Sequence, residues 1–185
     1  HTDLPQYIQY YTEDEAMEAT AWRYLRWFYE QMDVIYVPSR VYKQQLVAKG
    51  FDSKKLRLFP HGADADVFHP RHRDPLCWER FGVNGGPKVL YVGRIAKEKD
   101  LDVLIQVYQQ LASRRPESTL VVVGDGPFLQ QMKEGLPYPN VIFTGFLHGE
   151  ELSRAYASSD IFAFPSTTDT FGNVVLEAMA SGLPV

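Results

Sequence analysis

Two acids in this chain flank a helix start where they could act on a phosphorylated ligand. Asp169 and Glu177 are separated by seven residues in the closing string 166–185, S-T-T-D-T-F-G-N-V-V-L-E-A-M-A-S-G-L-P-V. Arg94 and Lys99 belong to G-R-I-A-K-E-K, which opens at Gly93. The acids flank a predicted helix start near Phe171. A helix start offers N–H groups without intrahelical partners and a partial positive charge, which together attract phosphate. Gly172 at that mouth lets a ligand come close to the backbone. Carboxylates accept from hydroxyls, while guanidinium and ammonium groups hold phosphate oxygens. The helix start with its two acids implies a ligand carrying both phosphate and hydroxyls. Taken singly, each residue has a plainer role. Asp169 or Thr170 would cap the helix, Glu177 would be a solvated helix residue, and Arg94 and Lys99 would be charges in a charged loop.

The elements that must position these residues follow from hydrophobic period. From Lys88 the chain alternates short apolar runs with helical patterns. Strands are predicted at 89–92, 120–123, 141–144 and 161–164. Leu101, Leu104, Ile105, Tyr108 and Leu111 share one helix face. A short helix follows at 128–134, and Leu152, Tyr156 and Ala157 lie on another. Val174, Val175, Ala178, Met179 and Leu183 recur at helical spacing. Such alternation with strands apolar on both faces predicts a parallel sheet with right-handed crossovers. Ligands on these sheets bind beyond the carboxyl ends of the strands. Those ends carry Gly93, Gly124, Gly145 and Ser166, where the backbone is open to a ligand. Earlier in the chain, residues 1–5 read as a loop and 13–32 as a helix with Trp22, Leu25, Tyr29 and Met32 on one face. Strands at 34–37 and 56–59 bracket a helix that Ser39 caps and Gly50 ends. Residues 71–87 read as loop-like apart from a short stretch around Trp78.

The string D-T-F-G-N-V-V-L-E-A-M-A-S-G-L-P-V resembles the E-x7-E motif of family-4 retaining glycosyltransferases, with Asp169 where Glu is usual. Asp there resembles the branch that glycosylates lipids, such as sulfoquinovosyl and mannosyl transferases. Three further segments carry the resemblance: H-T-D-L-P at 1–5, G-R-I-A-K-E-K at 93–99, and P-H-G-A-D at 60–64, where His61 replaces the usual Arg or Asn. The resemblance implies a GT-B fold, an α/β class with two Rossmann-like domains and parallel sheets. It divides the chain into 1–62, the end of the acceptor-side domain; 63–87, an interdomain linker; and 88–185, the nucleotide-sugar-binding domain. His1 in place of Met and a strand opening at Pro184–Val185 read as the ends of a fragment in which both domains are incomplete.

The same resemblance implies roles. Glu177 holds the nucleotide ribose, and Asp169 contacts the donor sugar. Arg94 and Lys99 hold the diphosphate. Backbone and side chains of Gly93, Ser166, Phe171, Gly172, Asn173 and Val174 line the donor site. Phe146, after the third strand, is a neighbour of the nucleobase or a half-buried core residue. His1 is a sugar neighbour or an ordinary loop histidine. Asp169 and His1 are the catalytic candidates, as groups that position the sugar, with no covalent step. Val123-Gly124-Asp125-Gly126-Pro127 resembles the family's V-G-x-G-P and reads mostly as a tight turn. The implied activity is transfer of a sugar, with retention, from a UDP- or GDP-linked donor to an acceptor hydroxyl of a lipid or glycan. A GT-B nucleotide-sugar epimerase and a non-catalytic nucleotide-sugar-binding fragment are the alternatives. No cofactor and no metal are expected, since two fixed cations and a helix start suit the growing charge of the leaving diphosphate.

Bulk properties narrow the classes. A formal net charge of −4 gives no support to nucleic-acid binding. One cysteine, Cys77, excludes an intramolecular disulfide and fits a reducing compartment. No apolar run approaches the ~20 residues of a membrane span. His61, His69 and His72 match no zinc spacing. The expected setting is cytoplasmic, with peripheral contact at the inner membrane face.

Overall fold

The computed structural model describes residues 4–60, 62–83, 85–167, 169 and 172–185. The chain divides into two compact units, residues 1–62 with 168–172, and residues 63–167 with 173–185.

The first unit begins with two helices, α1 (Leu4–Thr12) and α2 (Glu15–Glu30). The loop expected at residues 1–5 is corrected at Leu4 and Pro5, where α1 begins; residues 1–3 lie outside the described residues. Pro5 sits in the first turn, where its missing N–H costs no intrahelical bond. Asp14 starts α2 by accepting from the N–H groups of Ala16 and Met17 at 2.8 and 3.1 Å. Strand β1 (Ile35–Val37) leads to α3 (Arg40–Ala48), capped by Ser39, and then to β2 (Leu56–Leu58), which pairs parallel to β1. Val37, Leu46, Phe51 and Leu56 form the core, with Trp22, Leu25 and Tyr29 packed on it. Met32, expected on the same face, is exposed. So are Tyr24, Trp27 and Phe28, a second aromatic row on α2.

The second unit is a four-stranded parallel sheet of order β5-β4-β3-β6. Its elements are β3 (Lys88–Val92), α4 (Leu101–Arg114), β4 (Thr119–Val123), α5 (Leu129–Gly135), β5 (Val141–Gly145), α6 (Gly149–Ala157), β6 (Ile161–Phe162) and α7 (Asn173–Ala180). Side chains alternate across the strands. Leu90, Val92, Val121 and Val123 go to one core with Tyr156, Phe162, Ala178 and Leu183. Tyr91, Leu120 and Val122 go to the other with Leu101, Leu104, Tyr108 and Met132. Both faces are covered, as the continuous apolar runs require. Residues 63–87, expected as a linker, contribute to the first of these cores. Trp78 is buried and donates its indole N–H to the Ser158 carbonyl at 3.0 Å. Phe68 packs edge-on against Tyr156 with ring centroids 5.5 Å apart.

Candidate functional site

The carboxyl ends of β3, β4 and β5 fit together through glycine. Gly93 N–H donates to Val123 O at 3.0 Å and Gly124 N–H to Gly145 O at 2.9 Å. A Cβ on Gly124 would lie 2.0 Å from Gly93 O, and one on Gly126 would lie 2.2 Å from Ile95 O. Both approaches are to backbone, so neither neighbour can swing aside. Ile95 is itself buried; its N–H donates to Asp125 O at 2.9 Å, and its carbonyl accepts from Phe128 N–H at 3.0 Å. The G-D-G-P turn is thus the seat of the loop that carries Arg94.

That loop presents one cation over a buried anion. Arg94 is exposed and donates to Glu98, which is fully buried in a single 3-10 turn, Lys97–Lys99. A buried carboxylate is costly unless partnered. Here Arg94 supplies a partner and is in turn tethered at the strand end, with Tyr91 Oη donating to its carbonyl at 3.0 Å. Lys99 is half-buried at the end of the same turn. Asp100 follows in a left-handed conformation and accepts from Thr167, in the loop after β6. Because β3 and β6 are adjacent, the structure brings Gly93, Arg94 and Lys99 beside the Ser166 loop.

Glu177 lies on α7, half-buried. Tyr156 on α6 donates its hydroxyl to Glu177 Oε2 at 2.8 Å. Tyr156 is fully buried between Phe68 and Phe162. Burial, then the charge of Glu177, push its pKa far above the ordinary phenol value, and the bond to Glu177 adds to this. The hydroxyl is therefore a fixed donor. It occupies one carboxylate oxygen, Oε2. Sequence reasoning placed Tyr156 on a helix face and missed this role. The one available signal was a tyrosine at a core position, where a buried hydroxyl needs a partner.

Phe146 follows Gly145, which has φ +71, and is 65% exposed, so it is not a core residue. Its ring stacks on His148 at 6.1 Å with an interplanar angle of 19°. Asp169 is exposed, and Gly172 enters α7 at φ +69, a left-handed conformation that favours glycine. Asn173 is exposed and Val174 half-buried in the first turn of α7. His1, His61, Thr170 and Phe171 lie outside the described residues. Among the described residues, no three His, Cys, Asp or Glu side chains are grouped to hold a metal ion. Within the same residues, no helix is long and apolar enough to cross a membrane.

A family profile described as "Glycosyl transferases group 1" matches residues 86–185, more than half of the chain. One described as "Glycosyltransferase Family 4" matches residues 1–67. The chain is 41% identical to the sulfoquinovosyl transferase of Arabidopsis thaliana, covering 100% of this chain and 36% of that protein. It is 35% identical to a GDP-mannose-dependent alpha-mannosyltransferase of Mycobacterium tuberculosis, covering 100% of this chain and 46% of that protein. The chain thus spans less than half the length of these curated relatives. Among solved structures, Anabaena HepE in complex with UDP and glucose matches with a TM-score of 0.77 at 22% identity, over 90% of this chain and 47% of that one. Sucrose-phosphate synthase from Thermosynechococcus elongatus matches with a TM-score of 0.76 at 25% identity, over 93% and 43%. The α/β, GT-B expectation therefore holds. The loop seated on its glycines, the paired acid on α7 and these matches lead to one conclusion: the chain belongs to the group 1 glycosyl transferases.

Proposed function

We propose that the protein containing this chain transfers a sugar, with retention, from a nucleotide-sugar to an acceptor hydroxyl. The observation that carries the proposal is the loop after β3. It offers an exposed guanidinium, anchored by a buried carboxylate, at the carboxyl end of a parallel sheet. A nucleoside diphosphate leaving a sugar gains negative charge. Cations fixed before the reaction stabilise that charge without reorganising. Arg94 offers a planar fork to the diphosphate and Lys99 a mobile point charge. Glu177, its Oε2 already engaged by Tyr156, accepts a ribose hydroxyl on Oε1. Phe146 offers an exposed ring to the base. The resemblance assigns Asp169 and His1 to orienting the sugar, and Gly93, Ser166, Phe171, Gly172, Asn173 and Val174 to donor binding.

The relatives bear on donor and acceptor. One is named as GDP-mannose-dependent, another as an alpha-monoglucosyldiacylglycerol synthase of Streptococcus pneumoniae. These names support a GDP-linked donor and a lipid acceptor; a UDP-linked donor and a cytoplasmic protein in peripheral contact with the membrane surface belong to the same proposal. The test uses the protein at its natural full length. UDP, GDP and ADP are screened by calorimetry, then the matching labelled nucleotide-sugars are assayed for transfer to diacylglycerol in vesicles. Tight binding of one diphosphate and anomer-retaining transfer support the proposal. Absence of diphosphate binding, or product of inverted configuration, overturns it.

A further inference from the structure

We propose that Asp100 is a positioning residue that locks the loop leading to Asp169 onto the loop carrying Arg94 and Lys99; this rests on the donor-site reading above. Asp100 follows Lys99 and stands at the cap position of α4. Its φ and ψ are +52° and +35°, in the left-handed region that residues with a side chain rarely adopt. A carboxylate at a cap position ordinarily accepts from the first amides of its own helix. Asp100 makes no such bond. Its Oδ2 instead accepts from Thr167 twice, from the N–H at 2.8 Å and from the hydroxyl at 2.7 Å.

The need for such a bond lies in the sheet. β3 and β6 are registered over Val89↔Ile161 and Leu90↔Phe162, flanked by bonds from Asp160 N–H to Lys88 O at 3.0 Å and, at the carboxyl end, from Ala163 N–H to Leu90 O at 2.8 Å. Beyond that point the two strands diverge into loops, and the Asp100 carboxylate joins them through a side chain. One loop carries the groups for the diphosphate. The other, two residues past Thr167 in sequence, carries the acid for the sugar. The bond fixes where the second loop leaves the sheet relative to the first, and misplacement of a reacting group by an ångström is costly to rate.

Both bonds converge on one oxygen, so an amide oxygen would serve equally, and asparagine tolerates the left-handed backbone. Glycine suits that backbone better and removes the acceptor. The experiment therefore compares Asp100→Gly and Asp100→Asn in the full-length protein. Three quantities are read: kcat with UDP-glucose or GDP-mannose, whichever the wild type uses; Kd for the matching diphosphate; and hydrogen exchange of the Thr167 amide. Asp100→Gly is expected to lower kcat by about tenfold or more and to speed Thr167 exchange, while Kd stays within about twofold because Arg94 and Lys99 remain. Asp100→Asn should restore all three. Exchange at Thr167 unchanged in Asp100→Gly overturns the lock, and so does an Asp100→Asn protein that behaves like Asp100→Gly. Faster exchange with wild-type kcat overturns the positioning role. A wild type that binds no diphosphate and transfers no sugar defeats the donor-site reading instead, and the exchange measurement still decides the lock.

Discussion

Replacing Tyr156 by Phe removes one hydroxyl and little else, since the ring keeps its packing against Phe68 and Phe162. What is lost is the 2.8 Å bond to Glu177 Oε2. A hydrogen bond to a charged group contributes about 1.5–3 kcal/mol. Glu177 is half-buried, so water replaces part of the loss and the lower end applies. Released from Tyr156, the carboxylate can rotate, and a ribose hydroxyl must then fix it at its own cost. Binding of a nucleoside diphosphate should weaken by about 1.5 kcal/mol, which is roughly tenfold in Kd. Pyrophosphate has no ribose and should bind Tyr156→Phe as it binds wild type. Calorimetry with both ligands, on the full-length protein, makes the comparison. Equal weakening of both ligands would mean that the hydroxyl supports the whole site and not Glu177. No weakening of either would refute the reasoning outright. The Glu177→Ala protein supplies the second arm of a cycle, since it removes the acceptor of the Tyr156 hydroxyl, and coupling between the two changes measures the pair.

Three other outcomes are expected. Arg94→Ala and Lys99→Ala should each weaken diphosphate binding by about 1.5–3 kcal/mol while leaving nucleoside binding nearly unchanged, by the same calorimetry. Gly126→Ala sets a Cβ 2.2 Å from the Ile95 carbonyl. It should cost about 1–3 kcal/mol in thermal unfolding and weaken diphosphate binding through the displaced Arg94 loop; wild-type values for both would show that the turn is not its seat. Alkali should destabilise the fold from about pH 9 through Cys77 and from about pH 10 through Tyr108 and Tyr156, because burial raises the folded-state pKa of all three. The sign follows from linkage. These groups hold their protons more tightly when folded, so their contribution is complete below the unfolded pKa and is lost as pH rises above it. Urea midpoints across that range check it, with a shallower fall in Tyr156→Phe.

The second unit was legible in the sequence because its physics is local. Apolar runs on both faces predict buried parallel strands, and the glycines at 93, 124 and 145 mark their carboxyl ends. What stayed hidden has two sources. The first is context that reverses a local signal. Pro5 reads as a loop residue, yet in the first turn of α1 it fits a helix. Glu98 reads as one charge among several in A-K-E-K-D, yet it is the one fully buried acid beneath Arg94. The second source is partnership across the chain. Tyr156 and Glu177 are 21 residues apart on different helices, and Asp100 meets Thr167 across 67. Period and spacing describe one element at a time, so pairs of this kind emerge only when the sheet sets the helices and loops side by side.

The strand order also governs how the chain is made. β3 is central in the sheet, but its partner on one side is the last strand of the four, and the backbone of Lys88 waits for Asp160, 72 residues later. At about 5–20 residues per second, synthesis leaves that edge of β3 bare for roughly 4–14 s. During this interval β3, α4, β4, α5 and β5 can assemble on one side only, presenting the V-L-Y-V run along an open flank. The second unit thus gains β6 late, and its nascent intermediate is a three-stranded sheet whose exposed strand invites capture by a chaperone or by another copy of itself.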